Sequence, residues 1–206
     1  MAEPTAIYVD PRAILRREFD KLFGEKPTRW PSRPALGPQD TLVRLSEYDV
    51  FANKDLPIGP EHAYVEIYDP RTGRTYIVRG GPNARSFPEA AAKLAQGRLS
   101  LIGAVKPQTI SEDGPGMDAK QRKPIAQAVL KGRPADQVVK QAERFVVRAL
   151  ASPPSYRPTQ NSNSVAFGAY QDLTGVRPRS AWNWGQGRRL PTRPSQIPPI
   201  YAGSFY

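Results

Sequence analysis

The chain has 206 residues, 23 prolines, one histidine, no cysteine and a formal charge of +11, from 30 Lys and Arg against 19 Asp and Glu. The absence of cysteine excludes disulfides, thiolate catalysis and cysteine-type zinc sites, and a single histidine excludes a histidine-rich metal centre, so no metal or cofactor is expected. An apolar share of 39% predicts one modest core with extended segments around it, and the positive charge suits an acidic partner such as nucleic acid, an anionic surface or an acidic protein.

The first residues, Met1 to Thr5, carry neither a basic region nor an apolar run, so no secretory signal is expected. Synthesis in the cytoplasm is the default, with a virion or export by a non-Sec machine as final destinations. No apolar run approaches the roughly 20 residues that span a bilayer. Residues 10–24 read as a short helix capped by Asp10, with Pro11 at its first turn and Gly24 after its end. Its apolar stripe is Ile14, Leu15, Phe19, Leu22 and Phe23. Residues 25–41 hold four prolines and Trp30 and read as an extended linker.

Thr41 to Leu45 is strand-like and leads to a second short run, Tyr48 to Phe51. Next, His62 to Tyr68 and Arg74 to Arg79 are β-rich and flank Asp69-Pro70-Arg71-Thr72-Gly73, which predicts a hairpin. Gly80-Gly81-Pro82 is expected to end it as a turn. Ser86 to Leu99 reads as a helix, with Ser86 as cap and Glu89 three residues on. Leu101 to Val105 reads as a strand and 107–124 as a polar loop. Residues 124–131 fit a short helix or a strand. Ala135 to Leu150 is a helix by period, with Val138, Val139, Ala142, Phe145, Val146, Ala149 and Leu150 on its apolar face.

Gln160-Asn161-Ser162-Asn163-Ser164 precedes a short apolar segment that ends at Gly175. Asn and Ser are strong caps, so this run opens a helix, and a hydroxyl there lies near free amide groups able to hold an oxyanion. His62 is the only histidine able to serve as its base. Beyond Val176 the chain has no acidic residue, five arginines, five prolines and several aromatics. Trp182, Trp184, Arg188, Arg189 and Tyr206 are the residues expected to bind a partner, as an arm on its own domain or on a neighbouring subunit. Stacking on single-stranded nucleic acid is the alternative for the same arm. The chain thus divides into an N-terminal helix and linker (1–40), an α+β domain (41–176) and a basic aromatic arm (177–206).

A histidine at the head of a hairpin, about a hundred residues, and then Asn161-Ser162-Asn163 opening a helix resembles the circularly permuted papain-like domains, including the lecithin–retinol acyltransferase-like group. The order of histidine, Gly80-Gly81-Pro82 and Asn-Ser-Asn is also similar to a group of bacterial and phage domains. The resemblance covers about residues 40–176 and implies a small antiparallel sheet packed with helices. Ser162 stands where that family carries its cysteine. The implied chemistry is attack by Ser162 on an amide or ester carbonyl with His62 as base, flanked by Asn161 and Asn163. Peptidoglycan or a protein amide would be the substrate by analogy. The family often places a residue that orients the histidine near Tyr76 to Arg79, where this chain has no carboxylate, histidine or asparagine; Glu66 is the remaining candidate. The alternative is a structural protein on the same scaffold, a virion or secretion-machine component whose terminal arms bind neighbouring subunits.

Overall fold

The computed structural model describes residues 33–49, 61–111, 123–156, 161–178 and 201–204. The helix expected at 10–24, Trp30, and the arm residues Trp182, Trp184, Arg188, Arg189 and Tyr206 lie outside them. The described chain is α+β: an antiparallel sheet with helices packed on one face. Its strands are β1 (Thr41–Asp49), β2 (Glu61–Tyr68), β3 (Thr75–Pro82), β4 (Leu101–Pro107), β5 (Lys123–Leu130) and a short β6 (Tyr201–Ser204). They lie in the order β4-β3-β2-β1-β5-β6. The helices are α1 (Phe87–Ala95), α2 (Ala135–Ala149) and α3 (Ser162–Thr174), with a single 3-10 turn at Gln108–Ile110.

The run expected at 41–45 and the start of the one expected at 48–51 are one continuous strand, Thr41–Asp49. β1 pairs with β2 along its length, from Leu42↔Tyr68 to Asp49↔Glu61, and with β5 on its other side. The β1–β5 register shifts between Leu45 and Ser46, beside Pro124, which has no N–H to give the ladder. The ambiguous segment 124–131 is the strand β5, buried along nearly its whole length. The β2–β3 turn is built by Asp69, whose carboxylate accepts from Arg71 N (2.9 Å) and Thr72 Oγ (2.8 Å), while Gly73 takes the left-handed φ of 69°.

Two expectations change. Helix α1 stops at Ala95 rather than Leu99, because Gly97 adopts φ 66° and Gly97 N bonds back to Leu94 O. Gly80-Gly81-Pro82 does not turn; it continues β3 and pairs with Gly103, Ile102 and Leu101 of β4.

One apolar layer organises the domain. Val43, Leu45, Ala63, Val65, Ile67 and Val78 alternate onto the same face of the sheet and meet α2 and α3. From α2 come Val138, Ala142, Phe145 and Ala149, at the helical spacing that the sequence shows. Helix α3 is buried on all sides, every residue except Gln171, as a helix set between a sheet and a second helix must be. The two helices are tied by Asp172, 1% exposed, which accepts from Arg148 Nη2 at 2.6 Å and from Gln141 Nε2 at 3.2 Å. Arg133 reaches Leu173 O at 3.0 Å and also bonds Gln141. No described helix is long and apolar enough to cross a membrane.

Candidate active site

The start of α3 divides its labour between adjacent residues. Asn161 is the cap: its side chain accepts from Asn163 N at 2.9 Å, and Ser164 Oγ accepts from Asn161 N at 3.3 Å, which completes a capping box. Ser162, the first helical residue, is therefore not needed as a cap. Its Oγ lies 3.1 Å from His62 Nδ1, inside hydrogen-bond range. The two residues are a hundred positions apart in the chain, so only the tertiary fold brings them together. With Nδ1 unprotonated, the hydroxyl donates to it; that tautomer places the ring proton on Nε2.

Asn163 supplies the anchor. Its Oδ1 accepts from the backbone N–H of Ala63 at 2.8 Å, in the buried interior. The β2–β3 ladder is recorded from Tyr64↔Arg79 to Tyr68↔Thr75 and does not extend to Ala63. Asn163 takes the place of the missing strand partner there, which satisfies a buried amide that would otherwise be costly. The helix start thus wedges into the opening between β2 and β3, next to the histidine.

Gly80 makes the wedge fit. A Cβ at that position would lie 2.7 Å from Ser162 O and 2.7 Å from Val165 Cγ2, closer than packed atoms allow. Gly103, its partner across the strand pair, faces Leu150 and Val165 in the same way, at 3.0 and 3.3 Å. Two glycines in register let α3 lie close against the sheet. No family model, curated protein or solved structure matches the chain. What the site can do therefore rests on its own geometry.

The predicted residues meet unequally. Ser162, His62, Asn161 and Asn163 form one cluster. Glu66 does not join it: it lies four residues along β2 from His62, about 13 Å by strand rise, where Ser46 Oγ donates to it at 3.4 Å. Instead the ring beside His62 is Tyr48, its direct partner on β1, with ring centroids 5.2 Å apart and a 59° tilt. Tyr48 gave no signal in sequence, because its place depends on the β1–β2 register. Nor did Gly80, whose role appears only once a helix from eighty residues downstream is laid on it.

His62 and Ser162 are 6% and 7% exposed. A pair this dry interacts more strongly than in water. At the helix start the amide of Ser162 has no acceptor within the helix, and the dipole end favours negative charge there. Among the described residues, no group of three histidine, cysteine or acidic side chains is placed to hold a metal.

Proposed function

We propose that the chain is a serine-dependent relative of the permuted papain-like hydrolases and acyltransferases, acting on an amide or ester. The observation that carries the reading is the 3.1 Å contact between Ser162 Oγ and His62 Nδ1 at the start of a buried helix. In the step this geometry serves, His62 Nδ1 takes the hydroxyl proton as Ser162 Oγ bonds to the carbonyl carbon. The carbonyl oxygen becomes an oxyanion, and the Ser162 N–H at the helix start is placed to donate to it. Collapse expels the amine or alcohol, which leaves with the proton from His62. Water, or an acceptor nucleophile, then releases the acyl group by the same steps in reverse.

The near-complete burial of the pair favours a second reading. Here Ser162 and His62 are a polar staple that fixes α3 to β2, and the protein is a structural component on a hydrolase-like scaffold, bound to neighbouring subunits in an assembly. One residue separates the two. Since the chain has no cysteine, Ser162→Cys introduces a single thiol. A catalytic environment lowers its pKa below the free value of about 8.5, so iodoacetamide labels it rapidly at pH 7, and His62→Gln in the same background slows labelling by about tenfold or more. Alongside this, Ser162→Ala lowers hydrolysis of 4-nitrophenyl acyl esters by about a hundredfold or more. A thiol that stays inert until the protein unfolds, together with hydrolysis that survives Ser162→Ala, would establish the staple and discard the enzyme.

A further inference from the structure

The sheet has a second buried face. Alternation along the strands puts Leu42, Arg44 and Tyr48 of β1 and His62, Tyr64 and Glu66 of β2 on the side away from Val43, Leu45 and Val65. Ile77 of β3, opposite Glu66, and Val129 of β5, opposite Leu42, extend the same face. Leu42, Tyr64 and Ile77 are completely buried there and Val129 nearly so, yet none of the four belongs to the core shared with α2 and α3. Those two helices pack on the opposite face, and α1 makes only marginal contact with any strand. The centre of the face is dry as well: Glu66 is 9% exposed, and burial pushes the guanidinium of its β1 partner Arg44 below the ordinary value. A sheet face this apolar and this dry needs a layer of its own against it.

The chain enters this face from its N-terminal side. Arg33, where the described residues begin, places its guanidinium 4.0 Å from the centre of the Tyr68 ring, and Tyr68 is on this face, opposite Leu42. The residues before Arg33 therefore depart from beside it. Upstream, residues 10–24 carry the stripe Ile14, Leu15, Phe19, Leu22 and Phe23, with Arg17, Asp20 and Lys21 on the other side. A helix over 10–24 is about 22 Å long, and Tyr68 to His62 along β2 is about 20 Å by strand rise. Residues 25–32 reach up to about 26 Å when extended, enough to set that helix along the face. The other undescribed segments fit less well. The 112–122 segment has Met117 as its one large apolar residue, and prolines interrupt 179–200. The 50–60 segment is held at both ends beside the Asp49↔Glu61 pair, away from Leu42 and Tyr68.

We propose that residues 10–24 form a helix that docks its apolar stripe on this second face, over Leu42, Tyr64 and Ile77. The sheet is then the middle of three layers, and the N-terminal segment is part of the domain rather than an arm for partners. Tyr48 and His62 form a row at the end of the same face, so a helix of this length also borders the histidine on the side away from the apolar core. The docking does not depend on whether Ser162 and His62 react.

The test uses the full chain, which has no cysteine of its own. A nitroxide on Arg17→Cys, opposite the stripe, should broaden the amide signals of Leu42, Tyr64 and Ile77 and spare those of Lys140 and Arg144 on the exposed side of α2. The same label on Lys54→Cys or Gln186→Cys should broaden the three sheet signals less. Stronger broadening from Gln186→Cys would make the C-terminal arm the cover, and from Lys54→Cys the β1–β2 connection; either result overturns the assignment. So does an Arg17→Cys label that broadens no sheet signal, the mark of a free N-terminal arm. In a mixture of spin-labelled and isotope-labelled copies, broadening between copies would put the helix on a neighbour and overturn docking within one chain. A second arm measures urea midpoints. Phe19→Ser/Leu22→Ser should lower the midpoint by about 1 M, while Arg17→Ser/Asp20→Ser leaves it near the parent value. Equal midpoints for the two double variants would mean that the stripe is not buried.

Discussion

At the scale of single residues, the site depends on atoms that are absent as much as on those present. Gly80 admits the start of α3 because it has no Cβ, and the obstacle a Cβ would meet includes the Ser162 backbone oxygen, which cannot rotate away. Gly80→Ala is therefore expected to cost about 1–3 kcal/mol through overpacking and to move Ser162 away from His62. Gly81→Ala, with open space around it, should stay within about 0.5 kcal/mol of the parent. Urea midpoints of the two variants check the contrast; equal midpoints would remove Gly80 from its role. The sequence made the polar cluster legible, because one histidine and one Asn-Ser-Asn run leave few combinations. It also read a helix start in the 160–164 run and its end at Gly175, where caps are local chemistry; the structure sets the cap at Asn161. It misread Gly80-Gly81-Pro82 as a turn, since glycine next to proline has the same appearance whether it serves conformation or close packing.

At the scale of elements, α2 and α3 are held by one buried carboxylate. Asp172 sits inside α3 with Arg148 and Gln141 of α2 as partners, so its loss leaves Arg148, 29% exposed, facing a partly dry interface. Asp172→Ala should destabilise the protein by about 3 kcal/mol, the lower end for a broken buried pair, because water can still reach the arginine. Arg148→Met in the same background should recover part of that loss. Thermal unfolding of the single and double variants measures both; a single variant as stable as the parent would mean that packing and the bonds to the α3 backbone, such as Gln141 Nε2 to Asp172 O at 2.7 Å, hold the helices without the carboxylate. Element type followed how clearly each segment alternates. The period of α2 and the hairpin of β2 and β3 were readable. β5 was not, because Pro124-Ile125-Ala126-Gln127-Ala128-Val129-Leu130 is buried on both faces and so shows neither the alternation of a half-exposed strand nor a helical stripe.

At the scale of the molecule, an excess of positive charge makes each ionised carboxylate important. Asp40 accepts from Lys131 Nζ at 2.6 Å, Gly37 N at 2.7 Å and Gly132 N at 3.1 Å; the Lys131 bond chiefly holds its carboxyl below the ordinary value of 3.8. Lys93 does the same for Glu89 at the molecular surface, below 4.5. Both are depressed on folding, so the unfolded chain binds more protons and stability rises with pH across this range. Their contribution is complete above the unfolded values and is lost as pH falls through the lower folded ones. Each protonation also adds to a net charge that already repels itself. Stability should therefore decline as the pH falls below about 5, and the Asp40→Asn variant should show a flatter decline. Chemical denaturation at pH 7, 5, 4 and 3 tests this; parallel profiles for the two proteins would rule Asp40 out as a source.

The bond from the Ala63 amide to Asn163 also has a kinetic meaning. An amide in a sheet interior normally exchanges with solvent deuterium when its strands part. The Ala63 proton is held instead by a side chain from a helix a hundred residues away. Its exchange therefore follows the undocking of α3 rather than the opening of the ladder. The motion that would uncover the serine can be timed at one proton, in the wild-type protein and without any substrate.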